Sequence, residues 1–164
     1  MNPYATAGWE SFFVAEVGAA AALTGLLFVA VSINLSKVLA FPQLPGRAAE
    51  TLLMLVGVLI TSSFCLVPGQ PRMVLGAEVL AAGLVVWIYP MTIQRRTPPV
   101  PNAPRHWMVT RVLTHQVSVL PLVVAGVSLL GGVGGGLYWL AAGALLSFSG
   151  GILNAWVLLV EIQR

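Results

Sequence analysis

The chain has 164 residues, of which 58% are hydrophobic and 8% charged, with a net charge of +3 and a mean hydropathy of +0.92. A soluble globule carries about 25% charged residues, so this composition excludes a soluble domain and points to an all-α, multi-pass membrane protein. At roughly 20 residues per span there is room for five membrane helices in one domain, residues 1–164, and for little else. The lone Cys65 excludes an intrachain disulfide and a multi-cysteine metal site, and the excess positive charge calls for no nucleic-acid partner because its placement along the chain accounts for it.

The leader MNPYATAGWE has no basic n-region, so no cleavable signal peptide is expected. Trp9, Phe12 and Phe13 then read as an interfacial anchor. The first span is expected over residues 11–38, a length that must tilt or emerge from the bilayer. Small residues recur along one side of it at Ser11, Ala15, Gly18, Ala22, Gly25, Ser32 and Ser36, the spacing that close helix packing in lipid favours. On the other side lie Glu16 and, five turns on, Asn34. After a Pro/Gly turn at residues 40–47, the second span is expected over residues 50–67, with Thr61, Ser62 and Ser63 near its end. The third is expected over residues 73–93, with Glu78 near its start and Pro90 near its end.

Residues 94–107, QRRTPPVPNAPRHW, form a basic, proline-rich connector. The fourth span, residues 109–130, contains His115, Gln116 and a mid-span Pro121 that should kink it. GGVGGG turns the chain into the last span, residues 137–162, where Gly136, Gly143, Ser147, Gly150 and Asn154 repeat the small-residue pattern. Packing of the first span against the last, or an oligomer interface on one of them, is the expectation.

If five spans alternate, Lys37, Arg47, Arg95, Arg96, Arg105, Arg111 and Arg164 fall on one side and Arg72 alone on the other. The positive-inside rule then puts the N-terminus outside and the C-terminus in the cytoplasm. On that topology Glu16, Glu78 and Thr61–Ser63 share the outer leaflet, while Asn34, His115 and Asn154 share the inner one. Glu50 and Glu161 are expected at the cytoplasmic rim, paired with Arg47 and Arg164. An intramembrane carboxylate is costly unless it has a partner or water, so Glu16 heads the candidates for a proton or small-cation pathway, with Glu78, His115, Asn34 and Asn154 behind it.

Catalytic chemistry is not expected. The sequence has no Asp, no clustered metal ligands, no phosphate-binding glycine loop and only two histidines, so neither cofactor nor metal is expected. FSG at residues 148–150 is similar to the serine motif of rhomboid-type intramembrane proteases, but Ser147 stands where that family has glycine.

MNPY at residues 1–4 and AEVG at residues 15–18 resemble the start of the small multidrug resistance transporters. In that family a first-helix glutamate exchanges protons for cationic drugs, which implies that role for Glu16. The likeness covers the first 18 residues, lacks the family's later tyrosine and tryptophan motifs, and lies in a five-span rather than four-span chain. GLLFVAVSINL at residues 25–35 also resembles a group of small uncharacterised bacterial membrane proteins, which implies no activity. The expectation is a homo-oligomeric inner-membrane channel or transporter for protons or small cations. The alternative is a non-transporting accessory subunit that packs its seams (Gly18, Ala22, Gly25 and Ser32 on the first span; Gly143, Ser147 and Gly150 on the last) against a larger membrane complex.

Overall fold

A computed structural model describes residues 2–96 and 105–162, with side chains at 105–108 and 161–162 outside the description. Its helices are α1 (Glu10–Ile33), α2 (Leu35–Ala40), α3 (Leu44–Phe64), α4 (Arg72–Arg96), α5 (Arg105–Gly131) and α6 (Leu137–Ile162). Five of them, all but α2, are long and apolar enough to cross a membrane, which makes this a multi-pass membrane protein. Most of the basic connector falls outside the described residues, as does Arg164.

The first span is shorter than expected and breaks at Asn34. Its side-chain amide donates to Ala30 O at 2.9 Å, while its own N–H reaches the same carbonyl at 3.3 Å. An asparagine that bonds back into the preceding turn competes with the helical ladder. The 24 residues of α1 therefore span about 36 Å, and α2 turns Val38 into a cluster with Leu44, Ala48 and Leu158. The second span begins earlier than expected, because Pro45 sits in the first turn of α3, where a missing N–H costs nothing. It also ends three residues sooner, at Phe64.

Helices α3, α4, α5 and α6 pack each against the next and α6 back against α3, forming an antiparallel four-helix bundle. Helix α1 lies outside it, along α3, and touches α6 only slightly. Helices α4 and α5 approach each other closely at three glycines. A Cβ on Gly126 would lie 2.6 Å from the Cα and N of Leu80, one on Gly76 2.9 Å from the N of Leu130, and one on Gly83 3.2 Å from the N of Val123. The sequence reading placed its seams on the first and last spans and passed over these three glycines.

One end of the bundle is closed by the glycine turn. Gly132, Gly134, Gly135 and Gly136 have φ of 68°, 87°, 110° and 49°, a region that side chains disfavour. A Cβ on Gly136 would also strike the carbonyl of Pro3, which accepts the Leu137 N–H at 2.8 Å. Tyr4 Oη accepts from Gly135 N at 3.1 Å, so the N-terminal segment is laid over this turn. The expected interfacial anchor is instead partly core. Phe13 is fully buried and Trp9 nearly so, with Trp9 edge-on to Tyr138 at 5.0 Å between ring centroids. Burial of these large rings against α6 outweighs their interfacial preference.

Candidate functional site

The five polar candidates stand in different surroundings. Glu16 lies on the inward side of α1 with Phe13, Ala20 and Leu27. The antiparallel register of α1 and α3 puts Phe13 in one cluster with Cys65 and Ala20 in another with Val58 and Ala144, which brings Glu16 to the level of Ser62. Glu16 is 7% exposed, and its Oε2, like the hydroxyls of Ser62 and Thr24, is buried without a hydrogen-bond partner among the described residues. A buried oxygen of this kind carries its full desolvation cost, so it favours a proton or a cation beside it.

Glu78 is half-buried on α4 and accepts from Gln70 Nε2 in the preceding turn. Asn34 is occupied at the α1–α2 break. Asn154 stands on α6 with its amide 3.9 Å from Met54 Sδ. His115 is buried in the bundle; its Nε2 lies 3.3 Å from Trp87 O, a bond that requires the proton on Nε2 and leaves the buried Nδ1 without a partner among the described residues.

The best-formed polar feature is one that the sequence reading assigned otherwise. Glu50 is not an exposed end residue. It is 2% exposed, and its partner is Arg111 of α5, with Nε–Oε2 at 3.0 Å and Nη2–Oε1 at 2.5 Å. This two-pronged pair reaches diagonally across the bundle, from α3 to α5, one turn from His115. Two opposite charges at equal depth in different spans were visible in the sequence, but adjacency in the chain drew Glu50 to Arg47. The side chain of Glu161 lies outside the described residues, so its expected pairing does too. Around this pair, Trp87 Nε1 donates to Gln116 Oε1 at 2.6 Å, and Ser147 Oγ donates to Ser118 O at 3.0 Å, one turn before Pro121.

Between the Glu16 level and the ion pair, apolar clusters lie beside the buried hydroxyls of Thr24, Ser118 and Ser147. Met54, Val86 and Val119 form one cluster, and Ala20, Val58 and Ala144 another. Below Glu16, α1 and α6 separate around an apolar crevice of about 240 Å³ lined by Leu23, Leu27, Leu55 and Gly151 among others.

The two small-residue seams have opposite placements. On α6, Gly143 faces Leu122 and Gly150 faces Ser118, while Ser147 is fully buried. On α1, Gly18, Ala22, Gly25 and Ser32 are all exposed, and nothing lies within 4 Å of a Cβ placed at Gly18 or Gly25. Helix α1 is also the least enclosed span, with 17% of its most apolar stretch buried against 33 to 50% in the others. Compared with protein-family models, with curated proteins and with solved structures, the chain matches none, so the short resemblances at residues 1–18 and 25–35 carry no family assignment.

Proposed function

We propose that the protein handles protons or small monovalent cations in a bacterial inner membrane, with its N-terminus outside and with Glu16 as the binding group. The observation that carries this reading is the buried Glu16 carboxyl, whose Oε2 has no partner among the described residues, at the level of the equally unpartnered Ser62 hydroxyl. A buried carboxylate with a hydroxyl at its level suits a proton or a hard cation, because oxygens can replace the lost water. The site lies where the least enclosed helix docks on the bundle, and transfer past the packed side chains below it calls for α1 to move against α3 and α6. The crevice between α1 and α6 gives it room.

Flux of protons and monovalent cations into liposomes holding the purified protein alone tests this. Glu16→Gln keeps the shape and removes the charge, and it should reduce flux to the level of empty vesicles. Absence of flux from folded wild-type protein under either sign of potential would defeat the reading.

The outward small-residue stripe favours a second reading, a non-transporting accessory subunit in which α1 packs against another membrane helix, from a second copy or a larger complex. With Cys65 replaced by Ala, Gly25→Cys should crosslink in native membranes under mild oxidation. Leu26→Cys, on a neighbouring face that is 68% exposed, should not. Equal crosslinking at both positions would mean random collision and count against a stripe-mediated contact.

A further inference from the structure

Two prolines stand inside membrane helices, Pro90 in α4 and Pro121 in α5. Each lacks the N–H that would bond the carbonyl four residues earlier, Val86 O or Val117 O, and its ring presses on that carbonyl, a combination that kinks helices. In lipid, side chains of neighbouring helices must make up for the disturbed backbone bonds. Here they do so twice at the same offset, on the carbonyl three residues before the proline. His115 of α5 donates from Nε2 to Trp87 O at 3.3 Å, and Ser147 of α6 donates from Oγ to Ser118 O at 3.0 Å. Ser118 in turn donates its own hydroxyl to Leu146 O at 3.0 Å. His115 is 2% exposed and Ser147 is fully buried, so both bonds lie inside the protein.

The two prolines act at one level of the bundle. The register that sets Gly76 against Leu130, Leu80 against Gly126 and Gly83 against Val123 brings Trp87 opposite Val119, and Val86 and Val119 share a buried cluster against which Trp87 packs. All three glycine contacts lie on the glycine-turn side of this level. On the other side, residues 87–96 and 105–117 hold no glycine, alanine or serine, so bulkier side chains separate the two backbones there. We propose that this level is a hinge in the α4–α5 pair and that His115 and Ser147 are its latches. With both bonds made, the arms at residues 87–96 and 105–118 are held in line with the glycine-packed arms; with either bond lost, they swing. Arg111 rides on the α5 arm, so the hinge sets the geometry of its pair with Glu50 on α3. The hinge lies in α4 and α5 and stands apart from ion handling at Glu16 on α1.

Spin-label distances in the full chain, held in lipid nanodiscs and carrying Cys65→Ala, test it. One label pair joins Val109→Cys on the α5 arm to Ile60→Cys on α3; a control pair joins Val127→Cys, on the glycine-packed side, to the same α3 position. Val109, Val127 and Ile60 are 54%, 56% and 37% exposed, so the labels stand outside the bundle. A bend of about 20° over the roughly 14 Å from Ser118 to Val109 moves the first label by about 5 Å. Without further substitution, each pair is expected to give one narrow distance. His115→Ala and Ser147→Ala should each add a second distance, shifted by about 5 Å, to the Val109 pair and leave the Val127 pair unchanged. His115→Gln, whose amide keeps a donor, should retain the single distance. Pro121→Ala added to Ser147→Ala should restore it, because Val117 O regains its N–H donor. A Val109 distribution that neither alanine variant changes would overturn the hinge. Broadening of both pairs together would do the same, since the bonds would then hold the bundle as a whole. So would a second distance that persists with Pro121→Ala, because the proline would not be the pivot.

Discussion

Arg111→Ala is expected to be the most damaging single truncation in the chain, costing about 3–5 kcal/mol, read as a lowered midpoint of SDS-induced unfolding in mixed micelles. The reason is what it leaves behind. Glu50 is 2% exposed and its two oxygens are both engaged by Arg111, so removing the arginine strands a carboxylate inside the bundle. Glu50→Ala should cost less, because Arg111 at 15% exposure borders a groove through which water or a headgroup can reach it. Replacing both residues with apolar ones of similar size, Glu50→Leu with Arg111→Met, should recover most of the loss, since an apolar pair leaves nothing to desolvate. An Arg111→Ala protein as stable as wild type would show that the pair is not formed as described.

Gly126→Val is expected to be the next largest, through packing instead of charge. The atoms that a Cβ there would meet at 2.6 Å are the Cα and N of Leu80; they belong to the opposite backbone and cannot rotate aside. Helices α4 and α5 must separate, which costs about 1–3 kcal/mol for overpacking and loosens the Gly76 and Gly83 contacts along the same interface. Gly25→Ala in the same assay should be neutral or stabilising by up to about 1 kcal/mol, because alanine is the better helix former and nothing lies near its Cβ. Equal effects at the two glycines would mean that the α4–α5 approach is looser than these distances require.

The sequence and the structure part company in a consistent place. Five long apolar stretches were legible because the hydrocarbon core sets a length that any crossing helix must meet; the helix ends differ from the expected bounds by up to six residues, and the last helix covers the residues expected. The glycine turn was legible because only glycine accepts four left-handed residues in five. The break at Asn34 was not, because it depends on one side chain choosing its own helix over the next turn.

Which way each helix faces was harder still. In lipid, the outer surface is as apolar as the core, so hydropathy does not mark the inward side as it does in water. The seam on α1 was expected to pack and points outward. The three glycines that bring α4 and α5 together drew no notice, although Gly76 and Gly83 stand two turns apart on one face of the third span.

Sequence alone determined that this chain is a membrane protein with five long apolar segments, since composition and length are local properties. Only the tertiary structure decided that Glu50 belongs to Arg111, 61 residues away, and that α1 stands outside the bundle. Those outcomes depend on how helices rotate and pair, and the energies that select among rotations come from contacts between residues far apart in the chain.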